Sequence, residues 1–579
     1  MRYLALACDY DGTLAAEGRV SEETIQALER LRETGRKLIL VTGRELEDLK
    51  AHFSRIEIFE RVVAENGAVV YTPKSREEQV LGHAPPESFT RLLQKLAVQP
   101  ISCGRIIVST WEPHEKAVLE AIRELGLELQ VIFNKGAVMV LPAGVNKATG
   151  LSYALQELGL SPHNVVGIGD AENDHAFLDI CECGVVVCNA LPALKEKADL
   201  VTRGDHGKGV IELVEKLIHD DLRELGQCLK RHHILIGARV ADKAEVKIPP
   251  YGFNMLLAGI SGGGKSTLGM GVLEQLSEAG YQFCVIDPEG DYESFENAIA
   301  LGTNQRVPSV DEVLQALQNP DDNTVVNLLG QPLEDRPSFL AVLLPRIQEL
   351  RTRLGRPHWL LLDEAHHMLP RSWEPAAMTL SQEIQGMIFV TVDPKELALP
   401  ILSKVDVVLA VGTNPQAIIE LVQKTTGHKP SAAYDGNLAS GQALFWSKHD
   451  SKSPFPLQIT SGRADRRRHR RKYAEGNLTA EKSFYFRGPE GKLNLRAHNL
   501  ILFIQMAEGL DEATWLYHLR RGDYSRWFRD IIKDQPLAEE AARVEKLPHV
   551  DATESRNLIR AAIEEHYTLP VSSSLVSET

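Results

Sequence analysis

The chain has 579 residues, of which 43% are hydrophobic, and a formal net charge of −15. This length predicts about four domains with ample buried cores, and the acidic balance excludes a chain that coats nucleic acid along its whole length. Seven cysteines without paired spacing, a first apolar run that begins at Tyr3, and the absence of an apolar run of 18 residues predict a cytoplasmic protein with no signal peptide and no membrane span.

Two carboxylates follow the first predicted strand. The apolar run 4–8 ends in Asp9-Tyr10-Asp11-Gly12-Thr13. In a parallel sheet, the carboxyl end of a strand opens into the ligand crevice. One carboxylate at such a position can attack phosphorus while the other transfers a proton, provided that a metal ion masks their charge. Taken alone, the string also fits an ordinary exit from a strand into a turn.

Further polar residues follow at the boundaries of predicted elements. They are Thr42 after the apolar run 38–41, Lys147 before the helical run 148–158, and Asp170, Asn173 and Asp174 after the apolar run 165–169. With Asp9 and Asp11 they resemble motifs one to four of the haloacid-dehalogenase-like (HAD) phosphatases. Glu65-Asn66-Gly67-Ala68 resembles the Cof-type, sugar-phosphatase branch of that family. The resemblance covers residues 1–218.

The resemblance implies a Rossmann-like α/β core and a role for each motif residue. Asp9 would be the nucleophile that forms an aspartyl-phosphate, and Asp11 would protonate the leaving alcohol and then activate water. Mg²⁺ prefers oxygen ligands, which Asp9, Asp170 and the Asp11 carbonyl would supply. Thr42 and Lys147 would bind the phosphoryl oxygens. Asp174 would orient Lys147 or a metal-bound water. Asn173 would either contact the phosphate or close its loop.

An insert near 82–143 separates the second and third motifs. It alternates helix-like stretches with strand-like ones, and Asn134-Lys135-Gly136 between two apolar runs predicts a hairpin. The insert resembles a small type-2 cap, the lid that recognises the leaving group in Cof-like phosphatases. Phe133-Asn134-Lys135-Gly136 before the Lys147 loop resembles the archaeal-type phosphoglycolate phosphatases. We therefore expect a small phosphorylated acid or sugar as the substrate.

A second phosphate-binding motif begins at Gly259. The pattern Gly259-x4-Gly264-Lys265-Ser266 follows an apolar strand and precedes the helical run 268–279. In a P-loop, backbone N–H groups cradle the phosphates, the lysine reaches the terminal ones and the hydroxyl binds Mg²⁺. The alternative is that the sequence matches the P-loop pattern by chance and binds no nucleotide. The ATP-binding residues predicted from the motif are Gly259, Gly262, Gly264, Lys265, Ser266 and Thr267.

The run 358–362 ends in Asp363 and Glu364. Asp363 would complete the Mg²⁺ shell, and Glu364 would polarise the attacking water. With the stretch 287–292 and the strand-like stretch 388–394, these residues resemble the HerA/FtsK-type ATPases over about 235–450. The chain departs from that family in two places, which puts DNA translocation in doubt. Only about thirty residues separate the phosphatase from the P-loop strand, too few for the usual N-terminal barrel, and Thr391-Val392-Asp393 replaces the usual polar sensor.

The expected organisation is an α/β phosphatase core with a small α+β cap, a P-loop α/β ATPase and a mostly helical C-terminal region. Arg463 to Lys472 is strongly basic, which fits a solvated linker, with binding to nucleic acid or to an acidic surface left open. Trp515, Tyr517, Trp527 and Phe528 fit a small helical core better than a stacking platform. The predicted boundaries are 1–218, 219–250 (linker and entry strands), 251–455, 456–480 (basic linker) and 481–579.

The leading hypothesis is a Mg²⁺-dependent phosphatase of small phosphorylated metabolites fused to an ATP-hydrolysing module. ATPases of the HerA/FtsK type commonly close into rings, so by analogy we expect a homo-oligomer, with a hexamer as one option. The alternatives are a nucleic-acid end-processing enzyme with kinase activity and an ATP-driven DNA or protein translocase. Glu364 favours water attack over kinase transfer, and an intact set of phosphatase motif residues argues against a translocase whose phosphatase domain only binds.

Overall fold

The computed structural model divides into two compact units, Met1–Thr460 and Ser461–Thr579. It describes the whole chain except residues 227–230, 261–262, 294, 373–383, 429–433, 435, 440, 449–452, 460–482, 490, 492, 533 and 568–579. No helix among the described residues is both long and apolar enough to cross a membrane.

The first sheet of the first unit contains eight strands in the order β12-β11-β10-β1-β2-β3-β4-β5. Its strands from β12 to β3 are parallel, and β4 and β5 continue it antiparallel. The bounds are β1 (Ala5–Asp9), β2 (Lys37–Val41), β3 (Arg61–Ala64), β4 (Val69–Thr72), β5 (Glu77–Val80), β10 (Val165–Gly169), β11 (Cys183–Val186) and β12 (Leu200–Val201).

Helices cover both faces of this sheet, as the continuous apolar runs of its central strands require, since such strands are buried on both sides. Every residue of β1 and β10 is buried. Separate clusters of buried side chains fill the two faces. The helices of the core are Glu22–Glu33, Leu46–His52, Lys147–Glu157, His175–Ile180, Pro192–Lys195, His206–Asp220 and Arg223–Gly226. The α/β fold predicted for the N-terminal part is confirmed.

The insert between β5 and the helix at Lys147 forms its own small sheet, with the order β6-β7-β9-β8. Its elements are the helices Glu87–Lys95 and Glu115–Leu125 and the strands β6 (Ser102–Cys103), β7 (Val108–Trp111), β8 (Leu129–Asn134) and β9 (Ala137–Pro142). β8 and β9 pair antiparallel, with Asn134 opposite Ala137. The predicted hairpin is therefore confirmed, and its turn consists of Lys135 and Gly136.

The second sheet of the first unit has eleven strands among the described residues, in the order β14-β13-β23-β22-β21-β15-β20-β19-β16-β18-β17. The bounds are β13 (Ile234–Arg239), β14 (Glu245–Ile248), β15 (Asn254–Gly259), β16 (Phe283–Asp287), β17 (Ala298–Leu301), β18 (Asn323–Asn327), β19 (Trp359–Leu362), β20 (Met387–Thr391), β21 (Val407–Val411), β22 (Gln442–Ser447) and β23 (Phe455–Ile459). Its helices are Lys265–Glu278, Val310–Ala316, Arg336–Leu354, Ala365–Met368, Leu399–Leu402 and Pro415–Thr425.

The strand β23 corrects the boundary predicted at 456. It pairs antiparallel with β13 and β22, so the second sheet extends to residue 459. The alternation of Phe455, Leu457 and Ile459 carries this strand, but the flanking polar residues obscure it in the sequence. The basic segment 463–472 lies outside the described residues.

The second unit contains a two-stranded sheet, β24 (Phe484–Phe486) and β25 (Leu495–Ala497), and a group of helices. Trp515, Trp527 and Phe528 are buried in its hydrophobic core, whereas Tyr517 is half-buried at the rim. The helices are Leu500–Gly509, Glu512–Arg520, Asp523–Trp527, Gln535–Glu545 and Ala552–Tyr567, the last of which the sequence analysis does not predict.

Within the first unit, a buried polar network joins the two sheets. The hydroxyl of Tyr281 donates to Oε2 of Glu182 at 2.8 Å, and Nε2–H of His163 donates to the carbonyl of Ala279 at 2.8 Å. The rings of His163 and Tyr281 stack with centroids 3.8 Å apart. Although burial alone would raise the pKa of Glu182, its hydrogen bond with His163 and the charge of Arg2 lower it. The network thus keeps a buried carboxylate ionised.

These contacts come from residues that directly precede strands in both sheets. His163 precedes β10 and Glu182 precedes β11, whereas Tyr281 precedes β16 and His358 precedes β19. His358 contacts both His163 and Tyr281, with ring centroids 5.8 and 5.3 Å apart. The amino ends of the two sets of strands therefore meet, and their carboxyl ends point away from this interface.

Removal of a single hydroxyl tests the contribution of the network. Tyr281→Phe leaves Glu182 with one buried hydrogen bond fewer, so we expect the free energy of unfolding to fall by about 1–2 kcal/mol. Urea unfolding followed by tryptophan fluorescence measures this loss. Tyr153→Phe, which changes a half-buried tyrosine outside the network, is the matched control and should change the free energy by less than about 0.5 kcal/mol. Equal effects of the two substitutions would show that the network does not stabilise the interface.

Candidate active sites

The first site lies at the carboxyl edge of the first sheet. Asp9 is the last residue of β1, Thr42 follows β2 and Asp170 follows β10, and these three strands are parallel neighbours. Their ends therefore open into one crevice. Carboxylate oxygens of Asp9, Asp170 and Asp174 lie within 4.8 Å of one another. The structure thus brings together acidic residues that are up to 165 positions apart in the chain (174 minus 9).

Lys147 lies at the centre of this group. It is the first residue of the helix Lys147–Glu157, and the side chain of Asn146 caps the helix through a capping box. The ammonium of Lys147 donates to Oδ1 of Asp9 and to Oδ1 of Asp174, both at 2.6 Å. All three side chains are buried. A buried ammonium is tolerated only when it is paired, and here two carboxylates pair it.

Asp174 is fixed from its other side by the backbone. Its Oδ2 accepts hydrogen bonds from the N–H groups of Asp170 at 2.7 Å and of Ala171 at 2.9 Å. A Cβ on Gly169 would lie 2.7 Å from this carboxylate, so only glycine fits there. The hydroxyl of Thr13 donates to Oδ1 of Asp170 at 3.1 Å. Asp174 therefore positions Lys147 and the loop that carries Asp170.

The site carries an excess of negative charge. Burial is the largest cause that raises the pKa of Asp9 to about 8, and Asp174 adds to it, whereas Lys147 opposes both. Burial also raises the pKa of Asp170. Burial lowers the pKa of Lys147, but Asp174 and Asp9 more than compensate and raise it above its usual value. Three carboxylates thus face one buried ammonium.

A divalent cation fits this donor set. The ammonium of Lys135 lies 2.7 Å from Oδ2 of Asp170 and 3.4 Å from the main-chain oxygen of Asp11. Both oxygens are therefore within reach of a single cation. Asp9 lies within 4.8 Å of Asp170. Oxygen ligands with excess negative charge suit Mg²⁺. Asp9, Asp170 and the Asp11 carbonyl would hold the ion.

Asp11 forms an ion pair that the sequence analysis does not foresee. Nε and Nη2 of Arg44 donate to the two carboxylate oxygens of Asp11, each at 2.7 Å. This bidentate geometry holds Asp11 away from the lysine–carboxylate group of the site. The proton transfer expected of Asp11 would require this ion pair to open. The only local signal for this pair is that Arg44 follows directly after the Thr42-Gly43 strand end.

Thr42 and Asn173 lie beside the crevice, and both are buried. The hydroxyl of Thr42 accepts from the N–H of Arg44 at 3.1 Å, and Nδ2 of Asn173 donates to Oδ1 of Asn66 at 3.0 Å. Nδ2 of Asn66 and Oδ1 of Asn173 have no hydrogen-bond partner among the described residues. The Asn66–Asn173 pair therefore joins two motifs and keeps one buried amide donor free.

Glu65 attaches the cap to the core. Its carboxylate accepts hydrogen bonds from the backbone N–H groups of Arg105, Ile106 and Ile107 at 2.8, 2.8 and 3.0 Å. A Cβ on Gly104 would lie 2.7 Å from this carboxylate. The Glu65-Asn66-Gly67 motif is visible in the sequence, but its function as a cap anchor depends on a partner segment forty residues away and emerges only from the fold.

The second site lies at the carboxyl edge of the second sheet. The glycine-rich turn follows β15, with Gly259 at φ +156° and Gly264 at φ +93°. Lys265 begins the helix Lys265–Glu278 and is buried, and its ammonium donates to the carbonyl of Ile260 at 3.2 Å. A Cβ on Gly259 would lie 2.2 Å from the carbonyl of Val411, so this turn requires glycine.

Not all of the predicted P-loop is described. Gly262 lies outside the described residues, whereas Ser266 and Thr267 lie in the first turn of the helix that Lys265 begins. Asp363 and Glu364 follow β19, which is separated from β15 by β20. Phosphate groups bind readily at the amino end of a helix that follows such a turn.

Acidic residues gather near this edge. Burial raises the pKa of Asp363 well above its ordinary value and that of Asp287 to about 6, and the charge of Asp287 adds to the shift at Asp363. Burial also raises the pKa of Glu364, whose backbone has φ +42° and whose Oε2 has no hydrogen-bond partner among the described residues. Nδ1 of His366 and the hydroxyl of Thr391 are joined by a hydrogen bond of 3.1 Å. A histidine could serve as a metal ligand, but this contact fits a side chain that packs against β20.

Comparison with known proteins identifies relatives of the N-terminal part. The sequence profile of the haloacid dehalogenase-like hydrolases matches residues 6–102 and 104–214. Phosphoglycolate phosphatase of Methanothermobacter thermautotrophicus is 33% identical over 222 residues, which cover 37% of this chain and 98% of the relative. Phosphoglycolate phosphatase 2 of Saccharolobus solfataricus is 30% identical over 224 residues, 37% of this chain and 92% of the relative. The crystal structure of a haloacid dehalogenase-like hydrolase from Bacteroides thetaiotaomicron aligns with a TM-score of 0.34 and 20% identity, over 37% of this chain and 99% of that one.

The raised pKa of Asp9 makes stability depend on pH. Aspartate titrates near 3.8 in the unfolded chain and near 8 here, so between these values the folded chain binds more protons, and stability falls as the pH rises. In the presence of a chelator, we expect Asp9→Asn to raise the melting temperature at pH 8.5 by about 4 °C or more, and to raise it less at pH 5. Scanning calorimetry measures both values.

Asp242→Asn, at an exposed aspartate, is the control and should leave the melting temperature within about 1 °C at both pH values. A lower melting temperature of Asp9→Asn than of the wild type at pH 8.5 would contradict the prediction that the buried charge of Asp9 destabilises the folded chain.

Proposed function

The chain belongs, through residues 6–214, to the haloacid dehalogenase-like hydrolase family, and we propose that it hydrolyses phosphomonoesters of small metabolites through an aspartyl-phosphate on Asp9. Lys147 orients Asp9 by binding Oδ1. Because Lys147 binds Oδ1 of Asp9, Oδ2 is the oxygen that attacks phosphorus in this proposal. This division of the two oxygens is the observation that carries the proposal.

The proposed reaction balances in two steps. First, Oδ2 of Asp9 forms a bond to phosphorus while the ester P–O bond breaks, and Asp11 protonates the departing alcohol oxygen. Second, water loses a proton to Asp11 and attacks phosphorus, which releases inorganic phosphate and restores Asp9. Mg²⁺, which phosphatases of this family use, neutralises the phosphoryl and carboxylate charges when it is bound. Lys147 and Thr42 hold the phosphoryl oxygens.

The proposed substrate class is a small phosphorylated acid or sugar. Glu65 anchors the cap to the core, and the cap hairpin reaches the site through the contact between Lys135 and Asp170. The similar proteins named above are phosphoglycolate phosphatases, which supports a carboxylate-bearing ester over nucleic-acid ends.

Loss of the nucleophile tests this proposal. Asp9→Asn keeps the size of the side chain but removes its charge, so we expect phosphate release from para-nitrophenyl phosphate in Mg²⁺ to fall by roughly 10³-fold or more. The measurement is a steady-state assay, with Asp242→Asn as the control that keeps wild-type activity. Equal turnover by Asp9→Asn and the wild type would exclude an aspartyl-phosphate at this residue.

For the second site we infer ATP binding and hydrolysis by a HerA/FtsK-like module. The glycine turn, Lys265 at the start of its helix and the buried Asp363 support this proposal. Ser266 and Asp363 would hold Mg²⁺, and Glu364, whose Oε2 makes no hydrogen bond among the described residues and lies 3.4 Å from Nδ1 of His366, would polarise water. A homo-oligomer in which a neighbouring copy completes the site belongs to the same proposal.

Lys265→Ala should abolish this second activity and spare the first. Because the ammonium would contact the terminal phosphates, we expect ATP turnover to fall on the order of a hundredfold, with phosphatase turnover unchanged. Lys424→Ala, on the helix Pro415–Thr425, is the matched control. Absence of ATP binding by the wild-type chain in calorimetry would refute the proposed site.

A further inference from the structure

A lysine from the cap lies inside the phosphatase site. Lys135 is at the tip of the β8–β9 hairpin, and its ammonium is 2.7 Å from Oδ2 of Asp170 and 3.4 Å from the main-chain oxygen of Asp11. A Cβ placed on Gly12 would lie 2.5 Å from this ammonium. The side chain of Lys135 is nevertheless 46% exposed. It therefore enters the crevice from the cleft between cap and core, with part of its length exposed.

The backbone at Lys135 is unfavourable for a lysine. The turn has φ +49° at Lys135 and φ +85° at Gly136, the left-handed values that a tight two-residue hairpin requires. Asparagine, aspartate or glycine meets this requirement at lower cost. Strain of this kind persists where a side chain is needed at that position, which points to a function for the ammonium.

The position that Lys135 takes is the one where cation ligands converge. An ammonium and a divalent ion repel each other at this distance, so both cannot bind Asp170 and the Asp11 carbonyl. With the ion in place, Lys135 must turn to another anion in the same cleft. Arg44, the other cation that approaches from this side, is already paired with Asp11 and Asp48.

We propose that Lys135 is a specificity-determining residue that binds the negative charge of the leaving group, a carboxylate on a small phosphate ester. This inference rests on the proposed phosphatase function and narrows its substrate class to anionic esters. A neutral sugar phosphate offers no such charge, so the inference distinguishes the two classes that the family resemblance leaves open.

Three esters of similar size separate charge from shape. They are 2-phosphoglycolate with a carboxylate, ethyl phosphate without a charge on the alcohol, and O-phosphoethanolamine with an ammonium. For the wild type we expect kcat/KM to be highest for 2-phosphoglycolate. Lys135→Met should lower the ratio of kcat/KM for 2-phosphoglycolate to that for ethyl phosphate by about tenfold or more, mainly through KM. Lys135→Glu should place O-phosphoethanolamine above 2-phosphoglycolate.

A metal titration gives a second readout that does not depend on turnover. Because Lys135 competes for the oxygens of Asp170 and Asp11, Lys135→Met should bind Mn²⁺ about threefold or more tightly than the wild type, measured by calorimetry without substrate. Lys116→Met, on the cap helix Glu115–Leu125, is the matched control and should change neither the ester ratio nor the Mn²⁺ affinity.

The outcomes separate this inference from the proposed function. If the wild type hydrolyses the esters and Lys135→Met lowers kcat/KM equally for all three, the phosphatase function stands and the inference is wrong. The inference is also wrong if Lys135→Glu leaves the order of the esters unchanged. If the wild type hydrolyses none of them, the proposed function fails and the inference falls with it.

Discussion

The buried ammonium of Lys147, held between Asp9 and Asp174, is the interaction on which the first site depends. An unpaired ammonium in this environment would cost several kcal/mol, so Lys147 requires a carboxylate partner, and Asp9 and Asp174 share that pairing. Asp174 is in turn fixed by the backbone at Asp170, and Lys147 begins a helix whose positive amino end faces the same crevice. One ion network therefore ties a strand end, a helix start and a loop to common positions.

The cap is held to the core in two different ways, and the difference separates structure from recognition. The Glu65 carboxylate binds three consecutive backbone N–H groups of the cap, a contact that involves no cap side chain and that requires a residue without a Cβ at Gly104. Lys135 makes the opposite kind of contact, through a long and half-exposed side chain that reaches Asp170. In the proposed recognition, the backbone anchor would hold the cap in place while Lys135 exchanged Asp170 for the charge of a leaving group.

Much of both candidate sites follows from sequence because their residues lie at the ends of buried apolar runs. Asp9, Asp170 and Asp363 each end or directly follow such a run, and parallel strands bring their carboxyl ends to one edge. Arg44 and Lys135 are not predictable in the same way, because the partner of each is distant in sequence and only tertiary packing fixes the pairing. The boundary at 456 is wrong because β23 is a short strand whose partner β13 starts more than 200 residues earlier in the chain, so its pairing depends on tertiary packing and not on a local signal.

The packing of the two sheets limits how the two sites can influence each other. The buried contacts of His163, Glu182 and Tyr281 join the amino ends of strands, so the two carboxyl edges, with their ligands, face away from each other. A product released at one edge has no direct path to the other within this unit. Any influence of the second site on the first must pass along strands. The route runs along β19 from Asp363 to His358. It then crosses to His163 and follows β10 to Asp170. Since parallel strands in a covered sheet are rigid elements, such an influence requires the interface itself to have two arrangements. The ionised Glu182 and its close hydrogen bonds favour one arrangement, so the geometry of this interface supports two edges that act independently of each other.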